Sequence, residues 1–84
     1  MPTADEERAT RLILAALAER GDGKTVCPSE VARRLADEAG NWRARMSEVH
    51  SAVDALLATG EVALSWKGRG MAERQGPYRI GSLK

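Results

Sequence analysis

Ser47, His50 and Asp54 are spaced three and four residues apart, so on a helix they share one stripe. A serine, a histidine and a carboxylate are the parts of a nucleophilic triad. This set fails as one, because a working triad needs a nucleophile on a strained turn and free backbone N–H groups for an oxyanion. A serine in mid-helix has neither. His50 is instead expected to pack at a helix edge beside Met46 and Val53, with Asp54 as its i,i+4 partner. Cys27 is the second candidate. It precedes Pro28 at the expected start of a helix, where the dipole lowers a thiol pKa. Its plainer reading is a small apolar residue buried on a central short strand. One Cys and one His cannot complete a Cys/His zinc site. The run Gly21-Asp22-Gly23-Lys24-Thr25 lacks the spacing of a phosphate loop and follows a helix instead of a strand. The sequence therefore predicts no enzyme activity, catalytic residue, metal or cofactor.

The remaining chemistry is cationic. Residues 1–42 carry six Lys/Arg against eight Asp/Glu, while residues 43–84 carry seven against four. The basic excess thus lies in the second half, although the net charge of +1 is small for a nucleic-acid-binding domain. Arg43 and Arg45 fall at the start of an expected helix, and Lys67, Arg69 and Arg74 on or beside a Gly-rich loop. Side chains of these types supply most phosphate contacts.

The elements that must position them are legible. Met46, Val49, Val53, Leu56 and Leu57 recur at helical spacing, predicting a helix from Arg43 to about Thr59 that ends at Gly60. The period then changes to two: Val62, Leu64 and Trp66 alternate with Ala63, Ser65 and Lys67, as in a strand with one buried face. A loop from Lys67 to Gly76 leads to a second strand, Pro77-Tyr78-Arg79-Ile80, with Tyr78 and Ile80 on one face and Arg79 on the other. Upstream, Thr3 and Glu6 have capping-box spacing, and Ala9, Leu12, Ile13, Ala16 and Leu17 form the stripe of a first helix. Leu14 lies off that stripe, either under a neighbouring loop or at a dimer contact. Thr25-Val26-Cys27 is long enough for a short third strand. Pro28 opens a second helix reaching Glu38, with Glu30 supporting its N-terminus, and Ala39-Gly40-Asn41 closes it. Ser82 to Lys84 read as a free tail.

Helix, short strand, helix, helix, strand, wing, strand is an α+β winged helix-turn-helix: three helices, a small antiparallel sheet and one long wing, in a single domain over residues 1–84. No apolar run approaches the ~18 residues of a membrane helix. The polar, acidic start is unlike a signal peptide, and one cysteine excludes an internal disulfide. A cytoplasmic protein is expected.

The segment Gly23-Lys24-Thr25-Val26-Cys27-Pro28-Ser29-Glu30-Val31-Ala32, then Trp42-Arg43 with Met46, Lys67-Gly68, and Gly76-Pro77 with Arg79, resembles a small bacterial family catalogued only as a domain of unknown function. The resemblance runs from about Leu12 to Ile80 and is most specific from Lys24 to Ala32. It implies a winged-helix fold and brings no activity, substrate or catalytic residue. It also implies a basic residue near the position of His50, so the histidine here weakens a basic face.

A winged helix meets DNA with the second helix of its helix-turn-helix in the major groove. On that reading Arg43 and Arg45 anchor the helix, Ser47, Glu48 and Ser51 face the groove, and Lys67, Arg69 and Arg74 hold phosphates. The outward face argues the other way. Ala44, Ser47, Glu48, Ser51, Asp54, Ala55 and Ala58 include two carboxylates and none of the Asn, Gln or Arg that base readout favours. Double-stranded DNA, as for a transcriptional regulator, is the first expectation. A protein partner or a homodimer is the second. Trp42 is expected to close the core between the second and third helices. Trp66 either packs on the third helix or, at the wing base, stacks on a nucleotide or partner.

Overall fold

Thr3 opens the first helix. Its Oγ1 accepts from the Glu6 N–H at 3.1 Å, and Asp5, Glu6 and Glu7 place negative charge at the positive end of the dipole. In this computed structural model, which describes residues 3–21, 23–36 and 41–83, α1 spans Ala4–Arg20, β1 Thr25–Val26 and α2 Pro28–Ala36. A 3₁₀ turn, Trp42–Arg45, leads into α3, Met46–Ala58. Then come β2, Val62–Trp66, β3, Arg69–Met71, and β4, Arg79–Ser82. The expected end of the second helix, Asp37 to Gly40, lies outside the described residues, as do Asp22 and Lys84.

The fold is α+β, three helices against a four-stranded antiparallel sheet in the order β1-β4-β2-β3. β4 joins the two parts of the sheet: Val26 pairs with Ile80 on one side and Leu64 with Ile80 on the other. The helical period of α3 delivers Val49, Val53 and Leu56 to the core, with Met46 and Leu57 at its margin. The strand period delivers Val62, Leu64 and Ile80. Ile13 of α1, Val26 of β1 and Val31 of α2 are fully buried with them. Each such side chain contributes about 1.5–3 kcal/mol relative to exposure. Gly60 ends α3 at φ +75°. Its N–H donates to Leu57 O and that of Glu61 to Leu56 O, at 3.1 and 3.0 Å, the paired bonds of a Schellman cap.

Several expectations are corrected. Arg43 and Arg45 belong to the 3₁₀ turn, and the α-helix starts only at Met46. The loop from Lys67 to Gly76 contains a strand of its own, β3, which folds back on β2 through a two-residue turn. Lys67 and Gly68 take φ of +52° and +82° there, the type I′ geometry whose twist suits a hairpin. β1 is an edge strand that ends at Val26, so Cys27 lies just beyond it and is half-buried. Ser82 is not part of a free tail, because it closes β4 opposite Val62, and the Leu83 N–H donates to Glu61 O at 3.2 Å. Leu14 is 38 % exposed and Trp66 39 %, so neither is covered as a core residue would be.

Candidate nucleic-acid interface

α3 carries three of the eight expected contact residues, Ser47, Glu48 and Ser51, because its buried stripe forces the opposite stripe outward. Ser47, Ser51, Asp54, Ala55 and Ala58 are exposed, and Glu48 is half-exposed. The structure gathers three of the expected residues at the start of α3. Arg45 pairs with Glu48 and with Asp5 of α1, each at 3.4 Å. Ser47 Oγ donates to Glu48 Oε2 at 2.8 Å. The Ser47 hydroxyl, the Glu48 amide and the Arg45 charge together hold the Glu48 carboxyl below its usual range. Arg45 is therefore engaged by two carboxylates.

Arg74 is also committed. Its Nε and Nη2 donate to the two carboxylate oxygens of Asp54 at 2.8 and 2.9 Å. This bidentate fork ties the loop between β3 and β4 to α3, and it holds the Asp54 carboxyl below its usual range. Asp54 thus pairs with Arg74, and the expected His50 partnership is replaced. Exposure of this pair keeps its stabilising effect small.

Arg43, Lys67 and Arg69 differ. All three are exposed and make no ion pair among the described residues. The Arg43 guanidinium lies 4.5 Å from the centre of the Trp42 ring, and that of Arg33 4.7 Å from it. Lys67 and Arg69 flank Gly68 at the tip of the β2–β3 hairpin. Ser51, last of the expected contacts, borders a groove of 510 Å³ between α1 and α3, with Glu6, Glu7, Thr10, Arg11 and Ala55. The five cations thus form no single band. Two are neutralised, and three stand at the 3₁₀ turn and the hairpin tip.

His50 sits behind this face. Its Nδ1 is 2.6 Å from the Tyr78 hydroxyl, and the rings are 5.6 Å apart. Burial, helped by the Arg74 charge and opposed by Asp54, lowers the His50 pKa. Burial pushes the Tyr78 hydroxyl up to about 12. The phenol therefore keeps its proton, and it shares a hydrogen bond with the imidazole. A histidine whose folded pKa lies below the ordinary 6.5 contributes stability that is complete above that pH and is lost as pH falls through the folded value. The melting temperature is expected to decline as pH drops below 6.5, before the carboxylates titrate. His50→Asn should flatten that decline, and parallel profiles for the two proteins would refute the assignment.

A second feature has no counterpart in the sequence pattern. An apolar groove of 340 Å³ opens between the start of α2, the 3₁₀ turn and the loop before β4, walled by Pro28, Trp42, Met46, Trp66, Pro77 and Tyr78. The one signal for it is Trp66, the last residue of an alternating strand and the neighbour of Lys67-Gly68. Cys27 also borders the groove. Burial alone would raise its thiol pKa. Hydrogen bonds from the Ser29 side chain and the Ser29 and Glu30 amides, with the Arg79 charge, outweigh that and lower it. Arg79 itself donates from Nε to Thr25 Oγ1 at 2.7 Å, which ties β4 to β1.

Two comparisons bear on identity. The sequence model of a family described as "Protein of unknown function (DUF3253)" matches residues 6–82. No curated protein matches the chain.

Proposed function

The chain belongs to that family of unknown function, and from its geometry we propose that it is a winged-helix module that binds double-stranded DNA through α3 and the β2–β3 hairpin. The fold part of the reading is supported by connectivity. Three helices with a short strand after the first, then a ribbon whose last strand pairs with that short strand, is the order of a winged helix. The observation that carries the binding part is the hairpin tip. Lys67 and Arg69 project two uncompensated charges from a type I′ turn, and a wing meets phosphates with cations at its tip. In this reading Arg43 adds a third phosphate contact at the N-terminal side of α3, and Ser47 and Ser51 lie toward the groove. Arg45 and Arg74 shape the face without touching the duplex.

Binding of this kind is carried by counterion release, so it weakens steeply with salt. A labelled mixed-sequence duplex titrated by anisotropy should bind at low ionic strength and be released as salt is raised. Absence of binding at low salt would remove the proposal. The second reading, a protein-interaction module or homodimer, draws on the groove between α1 and α3 and on exposed Leu14. Sedimentation as a strict monomer removes its homodimer form.

A further inference from the structure

We propose that the apolar groove beside the hairpin is a stacking site for one unpaired base of a nucleic-acid strand, whose flanking phosphates are met by Lys67 and Arg69 at one end and by Arg33 and Arg43 at the other. The inference rests on this face being a nucleic-acid surface, but not on its binding a duplex.

Three observations carry it. The first is the walls: two tryptophans and a tyrosine border a cavity of 340 Å³. That is the lower end of the size range of small-ligand sites, room for one flat ring system. Trp66 leaves 39 % of its surface open, so part of its ring is accessible to a stacking partner.

The second is register. Trp66 is directly opposite Arg69 across the β2–β3 ladder, and cross-strand partners point to the same face of a sheet. The guanidinium of Arg69 and the indole of Trp66 therefore emerge side by side, on the face that also carries Leu64 and Met71. At the other end, Trp42 has the guanidiniums of Arg33 and Arg43 within 4.7 Å of its ring centre.

The third is charge. Among the described residues no carboxylate borders the groove. The acids on the adjoining helices are each held by arginine: Glu30 by Arg20 and Arg34, Glu48 by Arg45, and Asp54 by Arg74. Glu73, on the loop before β4, accepts from Gln75 and does not border it. Arg33 and Arg43, which lie against the Trp42 ring, and Lys67 and Arg69, next to or opposite Trp66, make no ion pair among the described residues. An aromatic slot with cations at both ends and no acid fits a ring flanked by two anions, which is a nucleotide within a strand. A purely apolar or proline-rich segment would leave the Lys67 and Arg69 charges without an anion.

The test uses the full chain and a labelled oligothymidylate of about ten nucleotides, beside a blunt duplex of the same length. Single-strand binding should quench tryptophan fluorescence and slow alkylation of Cys27 by iodoacetamide. Trp66→Leu, which keeps an apolar side chain but removes the stacking face, should weaken single-strand binding about tenfold or more. Cys27 protection is read on the unaltered protein, so the outcome does not depend on the variant folding. Failure of the single strand to bind at low salt overturns the proposal. So does binding that leaves Cys27 unprotected, and so does capture of the groove by an acidic or proline-rich peptide that the oligonucleotide cannot displace. If the duplex fails and the strand binds, the duplex reading falls and this one stands. The reverse result separates them the other way.

Discussion

Leu64→Ala should destabilise the protein by about 2–5 kcal/mol, the range for emptying a buried leucine site. Leu64 is 2 % exposed and pairs with Ile80 on one side and Met71 on the other. It is therefore the residue at which the two halves of the ribbon and the helical layer meet. A domain of this size has a total stability of roughly 4–12 kcal/mol, so the loss is a large share of it. Since ~1 kcal/mol shifts the melting temperature of such a domain by about 4–8 °C, calorimetry should record a fall of at least ~8 °C. A change of a degree or two would mean that the ribbon is not anchored by this side chain. The same substitution at Trp66 should cost much less, about 1–2 kcal/mol, because a large part of that ring already lies in water.

Removing the charge at the hairpin tip should weaken duplex binding at least tenfold. The double variant K67N/R69Q is designed to leave the turn intact. Lys67 occupies the left-handed region at φ +52°, and asparagine tolerates that conformation better than any other non-glycine residue. Removing one phosphate-binding cation lowers the slope of log affinity against log salt by about one. The variant should therefore show a slope smaller by about two and an affinity at least tenfold lower at low salt. Arg45→Gln and Arg74→Gln should change binding far less, since both guanidiniums are already held by carboxylates. Equal losses for all four positions would mean that the ion pairs open on binding and that the division among the cations is wrong.

The parts of the fold that are legible in the sequence share a physical cause: each is set by local spacing. Thr3 caps α1, Pro28 starts α2, and the seam of α3 and the alternation of β2 sit where their periods require. Tyr78 and Ile80 are buried together, as a two-residue period demands. What is not legible depends on partners distant in the chain or on short elements. β3 has three residues, too few for a period, and its turn carries Lys where Asn or Asp is the usual mark. A four-residue 3₁₀ turn differs from a first helical turn only in hydrogen bonding, which spacing does not encode. The Asp54–Arg74 pair joins residues twenty apart, so spacing alone leaves Asp54 available to His50.

The candidate site is legible as residue types and not as an arrangement. Arg43, Lys67 and Arg69 are exposed. Arg45 and Arg74 fall in with them by type, because nothing in the sequence pairs them with Asp5 and Asp54. Trp66 has two readings from its place in the strand, and its exposure decides against the core. The groove itself needs Pro28, Trp42 and Pro77 brought from three separate segments, which no local pattern announces.

Amide chemical-shift mapping during a duplex titration tests the central claim most directly. Largest changes at residues 43–51 and 66–71, with α1 unmoved, are the predicted result. Changes confined to α1 and the exposed alanines of α3, or none at saturating duplex, would contradict it.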